Sequence, residues 1–355
     1  MADGGRQLGR RTADGERQLG RRTADGETPM PALPVCVVGA GPCGLAAAVA
    51  LEEAGIPAIV FDRSCVVSAI ARYPTYLTFF SSPERLEIGG VPFVTAGEKP
   101  TRREGLAYYR SVVDRWKLTV RQYEDVIAVE RTAHGFAVHS RPAQGAETVT
   151  KARAVVVATG YFASPNMLGV PGENLPHVTH EFREGHEAFQ RHAVVVGGGN
   201  SAVECALELA RCGALVTLVH FEPNFSHVIK PWILPEFEER VGSGSISLRW
   251  NARVASIEPG WLHLNTETGP ATIPAQHVYL LTGYTPAPGL LGDLGVPFDE
   301  ATGIPAHDPA TMETPVRGVF VAGVLTSGKK ANGVFIENGR GHGALIAAAL
   351  RRRAG

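Results

Sequence analysis

The segment VCVVGAGPCGLAAAVALEEAGIPAIVFD, Val35 to Asp62, decides the architecture. Its first four residues form an unbroken apolar run of the kind that makes a strand buried on both faces. Small helix formers follow, and the segment closes on a second apolar strand, AIVFD, so the order is strand, helix, strand. Between the first strand and the helix stand Gly39, Gly41 and Gly44, spaced as G-x-G-x-x-G. In such a turn the first glycine permits the tight bend, the second lets a pyrophosphate reach the backbone, and the third lets helix and strand pack closely. The pyrophosphate of a dinucleotide then rests on the unpaired N–H groups and positive dipole of the helix N-terminus. Pro42 belongs to the same turn. Asp62 ends the second strand about 20 residues beyond the motif, placed to accept from a ribose hydroxyl.

A second copy lies far downstream. GGGNSAVECALELARCGALVTLVH, Gly197 to His220, has the length of Gly39 to Asp62, and Gly55 and Gly213 close the two helices at the same offset. Gly197, Gly199 and Ala202 take the three motif positions, with Asn200 and Ser201 completing the turn. At the end of this unit stand His220, Phe221 and Glu222 in place of an acid at the matching position. An NADP site normally offers an arginine here. Glu222 suits a 2′-hydroxyl and hence NADH, His227 or Lys230 suits a phosphate, and an ordinary exposed loop explains all three equally well.

Outside the two units the chain reads as strands and hairpins, KLTVRQYEDVIAVERT, GFAVHS and ARAVVVATG after the first, then ISLRWNARVASIEP, WLHLN and HVYLLTGYTP after the second. Each unit is therefore expected to carry an antiparallel appendage. At 355 residues the chain exceeds what one core usually supports, so two domains of roughly 100–200 residues each are expected. A formal net charge of −1 gives no electrostatic reason to expect nucleic acid or an anionic membrane as partner. No apolar run reaches the roughly 18 residues of a membrane span. The five cysteines are odd in number, form no C-x-x-C, and follow no secretory signal, which suits free thiols in a reducing compartment, the cytoplasm by default. No Cys/His cluster has metal-site spacing, so no metal is expected. Residues 1–32 include the repeats ADGGRQLGRRT and ADGERQLGRRT and read as a disordered leader or a misassigned start, with Met30 as the alternative beginning.

The two glycine-rich units, together with VVVATG ending at Gly160, LLTGY ending at Tyr284 and TPVRGVFVAG ending at Gly323, resemble the thioredoxin-reductase-like flavoproteins. Within that group GAGPCGLAAA, CVVSAIARYPTYLTFFSSPERLEIGGVPFVT, GEKPTRREGLAYYR, GGGNSAVECALELARCGA, IKPWILPEFEERV and VFIENGRGHG are similar to the YpdA family of bacillithiol disulfide reductases. The likeness runs from about Val35 to the C-terminal helix. It implies FAD on the first unit, NADPH on the second, and reduction of the oxidised small thiol bacillithiol. His220-Phe221 stands where the family has His-Arg, which leaves NADH open beside NADPH, and SGKKANG stands where it has an Asn-rich turn. Thioredoxin reductases proper place an aspartate after the final Ala-Gly, whereas this chain has Val324, as the YpdA branch does. By the same resemblance the helix starting near Phe335 and Ile336 faces the flavin N1/C2 edge, where its dipole would favour the anionic reduced flavin.

Cys43 is the first candidate for a redox thiol. It begins the helix of the first turn, where the dipole favours a thiolate although a pyrophosphate opposes it, and the family's GAGPCG cysteine is its proposed redox residue. A small side chain filling space, as Ser201 does in the second unit, is the plain alternative. Cys65 follows Asp62 closely, but the place of a C-x4-C partner is taken by Ile70; Cys36, Cys205 and Cys212 read as core. Tyr73, Tyr76, Phe79, Phe80 and Trp232 could stack on a flavin or substrate, though packing explains aromatics more often.

The fold class expected is α/β, with two Rossmann-like dinucleotide-binding domains and the NAD(P) domain inserted in a split FAD domain. The boundaries are 33–161 and 283–355 for FAD and 162–282 for NAD(P), with hinges near Gly160–Asn166 and Thr282–Pro286. The expected activity is transfer of a hydride from NAD(P)H through FAD to a small-molecule disulfide, directly or through Cys43, in a homo-oligomer. A ferredoxin or flavodoxin reductase, a flavin monooxygenase and a slow-turnover redox sensor remain as alternatives.

Overall fold

The computed structural model describes residues 33–160, 165–225, 229–284, 289–329 and 333–353. The leader with Met30, Tyr161, His227 and residues 330–332 of SGKKANG lie outside these, as do parts of both expected hinges. Strand β1 (Val35–Val38) leads into the helix Pro42–Glu53 and on to β2 (Ala58–Asp62); the helix Arg102–Trp116 precedes β3 (Thr119–Gln122). Next come β4 (Glu124–Thr132), β5 (Gly135–Pro142), β6 (Thr148–Ala152) and β7 (Ala154–Val157). The short β8 (Val178–Thr179) precedes β9 (His192–Val196), the helix Asn200–Arg211 and β10 (Leu215–Val219), followed by β11 (Ile246–Arg249), β12 (Arg253–Glu258), β13 (Gly260–Thr266), β14 (Gly269–Ala275) and β15 (His277–Leu280). Strand β16 (Val319–Val321) and the helix His342–Arg352 complete the chain.

Two five-stranded parallel sheets result, in the orders β16-β7-β1-β2-β3 and β11-β10-β9-β15-β8. Each is accompanied by a three-stranded antiparallel sheet, β4-β5-β6 and β12-β13-β14. The expected appendages are thus present, with one difference. The leading strands of the two appendage stretches, β3 and β11, join the parallel sheets beside β2 and β10 instead of the hairpins that follow them.

Local chemistry explains the two turn helices. Pro42 starts the first at a position where its missing N–H costs nothing, and Gly55 and Gly213, with φ of +71° and +79°, end the two helices in the left-handed region. The helix Pro42–Glu53 is buried on most of its surface because it packs both on its sheet and against the helix His342–Arg352. The crossing is close: a Cβ on Gly343 would lie 2.6 Å from the Cα of Ala47. The helix Arg102–Trp116 starts with a capping box in which Thr101 Oγ1 accepts from Glu104 N–H and Glu104 Oε2 accepts from Thr101 N–H.

The cores follow the sheets. Buried apolar residues from Val35 to Ala158 and from Leu291 to Leu350 form one cluster, whereas the buried members of two others all lie between Phe182 and Leu280. Across the boundary the loop Ala71–Phe80 braces against the second sheet's side. Arg72 Nε pairs with Glu181 Oε1 at 3.2 Å, Thr75 N–H donates to Arg183 O at 3.0 Å, and Thr75 Oγ1 donates to Glu184 Oε2 at 2.8 Å. Lys230 Nζ lies 3.2 Å from the centre of the Phe80 ring. Among the described residues no helix is long and apolar enough to cross a membrane, and no group of three His, Cys, Asp or Glu is placed to hold a metal.

Separate cores predict additive damage. Phe320→Ala in β16 should cost about 3–5 kcal/mol and Leu218→Ala in β10 about 2–5 kcal/mol, both side chains being fully buried. Urea unfolding followed by circular dichroism should give the double variant the sum within about 0.5 kcal/mol; a larger coupling would contradict the separation.

Candidate functional site

At the C-terminal end of β1 the three glycines divide the work that their spacing suggests. Gly39 has φ +109°, and a Cβ there would stand 2.4 Å from Ala158 O. A Cβ on Gly44 would lie 1.9 Å from Gly39 O, so the helix can begin this close to the strand only with glycine in place. Above Gly41 there is nothing within 4 Å of the Cβ position, which leaves its backbone open to a ligand. Asp62 braces the turn, Oδ2 accepting from Ala40 N–H and Oδ1 from Ser64 N–H, each at 2.8 Å. A carboxylate has about four lone-pair sites, so capacity remains for a ribose hydroxyl. Val67, buried and β-branched, is held at φ +48° while its N–H donates to Ala40 O at 3.0 Å. A β-branched residue in that region is strained by about 1–3 kcal/mol, a cost the surrounding packing must offset.

Because β16, β7 and β1 are neighbours, their C-terminal ends bring Gly323, Gly160 and the first turn to one edge of the sheet. Cys43 lies between two further glycines. A Cβ on Gly323 would stand 3.0 Å from Cys43 Cβ, and one on Gly339 would stand 2.8 Å from Cys43 Sγ. Burial pushes the Cys43 thiol up to about 12, with the Glu337 carboxylate adding to the effect, so the thiol is protonated at neutral pH. The thiolate expected from the helix dipole is therefore not the resting state; desolvation outweighs the dipole. Glu337 is itself held by Ser81, whose hydroxyl donates to it.

The sequence shows no role for His342, but its Nδ1 accepts from Gly323 N–H at 3.1 Å. Burial lowers its pKa and keeps the ring neutral, as an acceptor must be. Val324 lies in the 3₁₀ turn Gly323–Ser327, its carbonyl accepting from Ser327 Oγ at 2.9 Å. The helix expected near Phe335 spans only Ile336–Gly339, and the chain then breaks before His342–Arg352. Phe335 is 56% exposed, and its N–H is capped by Asn338 Oδ1 at 2.8 Å. One turn carries only a fraction of a long helix's dipole, so the stabilisation expected there is correspondingly small.

The second turn repeats the first with two changes. Gly197 has φ +151° and a Cβ there would meet Leu281 O at 2.4 Å, while Gly199 has nothing within 4 Å, as at Gly41. Ala202 takes the third place fully buried, its Cβ 3.1 Å from the Cβ position of Gly197. His220, 3% exposed, lies directly beneath Gly198, where a Cβ would fall 2.1 Å from its ring. Its Nε2 lies 3.4 Å from Glu222 Oε2. Asn200 Oδ1 accepts from Lys230 N–H at 2.8 Å, and Lys230 Nζ pairs with Glu204 at 2.9 Å, whereas Ser201 is exposed. Beyond the end of β10, Ala252 N–H donates to His220 O at 3.0 Å, and the next residue, Arg253, sets its guanidinium 4.6 Å from the centre of the Phe221 ring. No motif announces Arg253, because it comes from a different strand.

All five cysteines are free. Cys36 and Cys205 are buried, as expected; Cys212 is half-buried at a helix end, its Sγ 3.9 Å from Glu208 Oε1. Cys65 is half-buried, and Ile70, where a partner would stand, is core. The candidate aromatics pack on one another and on the brace, with Tyr73 6.4 Å from Phe79 and Phe80 6.1 Å from Trp232 between ring centres.

Two glycine-rich turns at the C-terminal edges of two parallel sheets are the arrangement of a flavin- and nicotinamide-nucleotide-dependent oxidoreductase. The sequence profile of the pyridine nucleotide-disulphide oxidoreductases matches residues 36–323, and the chain belongs to that family, with a thioredoxin-reductase-like fold. It is 46% identical over 319 residues to the bacilliredoxin reductase Bdr of Bacillus subtilis strain 168, covering 89% of this chain and 97% of the relative. The solved bacillithiol disulfide reductase Bdr (YpdA) of Bacillus cereus is 44% identical, with a TM-score of 0.88 over 90% of this chain and 99% of that one. The enzyme of the same name from Staphylococcus aureus is 36% identical, with a TM-score of 0.86 over 92% and 100%.

The glycines separate packing from binding. Gly44→Ala should lower stability by more than about 3 kcal/mol, because its Cβ meets a backbone oxygen. Gly41→Val should stay within about 0.5 kcal/mol of the wild type, since it adds bulk to open space. Chemical denaturation of the two apoproteins checks this, and equal losses would refute the division.

Proposed function

We propose that this enzyme is an NADPH-dependent flavin reductase of a low-molecular-weight disulfide, bacillithiol disulfide, with FAD on residues 33–161 and 283–355 and NADPH on 162–282. The observation that carries the cofactor reading is the pair of open backbones at Gly41 and Gly199, each at the start of a helix whose N–H groups suit a pyrophosphate. The substrate comes from the names of the Bacillus and Staphylococcus relatives. Bound FAD would carry two electrons from a nicotinamide hydride to the disulfide.

The chain's own part is to hold, orient and handle protons. Asp62 and the Gly39–Gly44 turn position the first dinucleotide, and His342 fixes the Gly323 turn beside Cys43. We assign Cys43 as the redox thiol. Its thiolate attacks one sulfur of RSSR, forming a Cys43–SR disulfide and releasing RS⁻, which takes up a proton. Two electrons then cleave the mixed disulfide to RS⁻ and the Cys43 thiolate. Burial sets a condition on this route, since the thiol must lose its proton before it can attack.

NADPH is favoured over NADH by Arg253, which brings a cation to the end of β10. Arg253→Ala should raise KM for NADPH about tenfold to a hundredfold while leaving KM for NADH unchanged. A parallel rise for both nucleotides would remove Arg253 from the recognition of the 2′-phosphate.

The reaction is tested by reducing the yellow protein anaerobically with NADPH and mixing it with bacillithiol disulfide, or with a bacilliredoxin mixed disulfide as second acceptor. Wild type should be reoxidised by bacillithiol disulfide, faster towards alkaline pH, and Cys43→Ser should not. Reoxidation of Cys43→Ser at the wild-type rate assigns the step to direct transfer, and protein purified without FAD refutes the reading as a whole.

A further inference from the structure

The cofactor turns occupy the C-terminal edge of the first sheet; at its N-terminal edge lies a cleft of about 420 Å³ that the reaction does not use. Its walls come from the β4–β5 turn, the residue before β7, the turn before β16 and the end of the last helix. Four arginines line it, Arg131, Arg153, Arg317 and Arg353, and no acidic residue does. This is a local excess of positive charge on a chain whose formal net charge is −1.

Two of the guanidinium groups reach main-chain carbonyls. Arg131 Nη2 donates to Arg317 O at 3.4 Å, and Arg153 Nη2 reaches Leu350 O at 3.5 Å. Among the described residues no carboxylate lies within ion-pair distance of Arg131, Arg153 or Arg317. Arg353 alone is neutralised, by Glu313, which also accepts from Gly318 N–H at 2.7 Å. Glu130, next in sequence to Arg131, turns away from the cleft, its Oε2 lying 3.4 Å from His139 Nε2. The wall beside Arg317 is closely packed: Gly318 has φ +86°, and a Cβ there would fall 2.9 Å from the Phe136 ring.

We propose that this cleft is a second binding site, taking a small phosphate-bearing anion. Its volume lies within the range of small-ligand sites, about 300–1,000 Å³, and guanidinium forks match phosphate oxygens two at a time. A single cleft of this volume suits a compact anion better than a polymer. The test is calorimetric titration of the FAD-loaded enzyme with inorganic pyrophosphate at low ionic strength. Gly199→Val serves as background, so that the second nucleotide turn takes up none of the probe. Saturable binding is expected, at least about tenfold weaker in Arg131→Ser/Arg317→Ser. An unchanged melting temperature of that variant without ligand shows that the fold is intact. Equal affinity in the two proteins, or heats reproduced by sodium chloride of the same ionic strength, overturns the proposal.

Discussion

The approach of Gly44 to the carbonyl oxygen of Gly39 is the contact on which the site depends. It lets the helix Pro42–Glu53 begin within the turn and not a few ångströms further out, which aims the first free N–H groups at the space above Gly41. The same closeness brings that helix against both its sheet and the helix His342–Arg352, where alanines and Gly343 meet almost backbone to backbone. With large side chains at these positions the elements could keep their identity yet not their spacing. Cys43 would then no longer sit between Gly323 and Gly339.

Cys43 also shows two electrostatic effects in opposition. A helix N-terminus favours an anion by about 0.3–1 kcal/mol at an exposed position. Removing a thiolate from water costs more, and the Glu337 carboxylate acts in the same direction as burial. The site therefore stores a neutral thiol, and the neutral His342 beside it keeps charge out of the same edge. Charge at this edge is left to whatever binds there.

Much of this was legible in the residues. Gly39, Gly41, Gly44 and their second copy could be assigned separate roles because each role is a steric demand on one position, and strand, helix and strand are encoded within 30 residues of it. What escaped was non-local. Strands β3 and β11 carry no mark that tells parallel addition beside β2 and β10 from a hairpin with the strand that follows. His342 matters through an acceptor atom offered to Gly323, 19 residues away, and Arg253 through a ring just beyond the end of β10. The short helix at Ile336 was nearer to legible, since Gly339 and Gly341 both interrupt the pattern. The thiol's protonation could not be read at all, because burial belongs to the folded chain.

The brace between the loop Ala71–Phe80 and the second sheet's side has a different character from the two cores. Arg72 and Glu181 are each about a third exposed, Thr75 meets Glu184 at the surface, and Lys230 shares its charge between Glu204 and the ring of Phe80. Exposed pairs of this kind contribute roughly 0–1 kcal/mol each and weaken with added salt, while the apolar clusters on either side do not. The polar contacts of the brace are thus the ones that the surrounding electrolyte weakens, while the ring contacts beside them and the apolar clusters keep their strength.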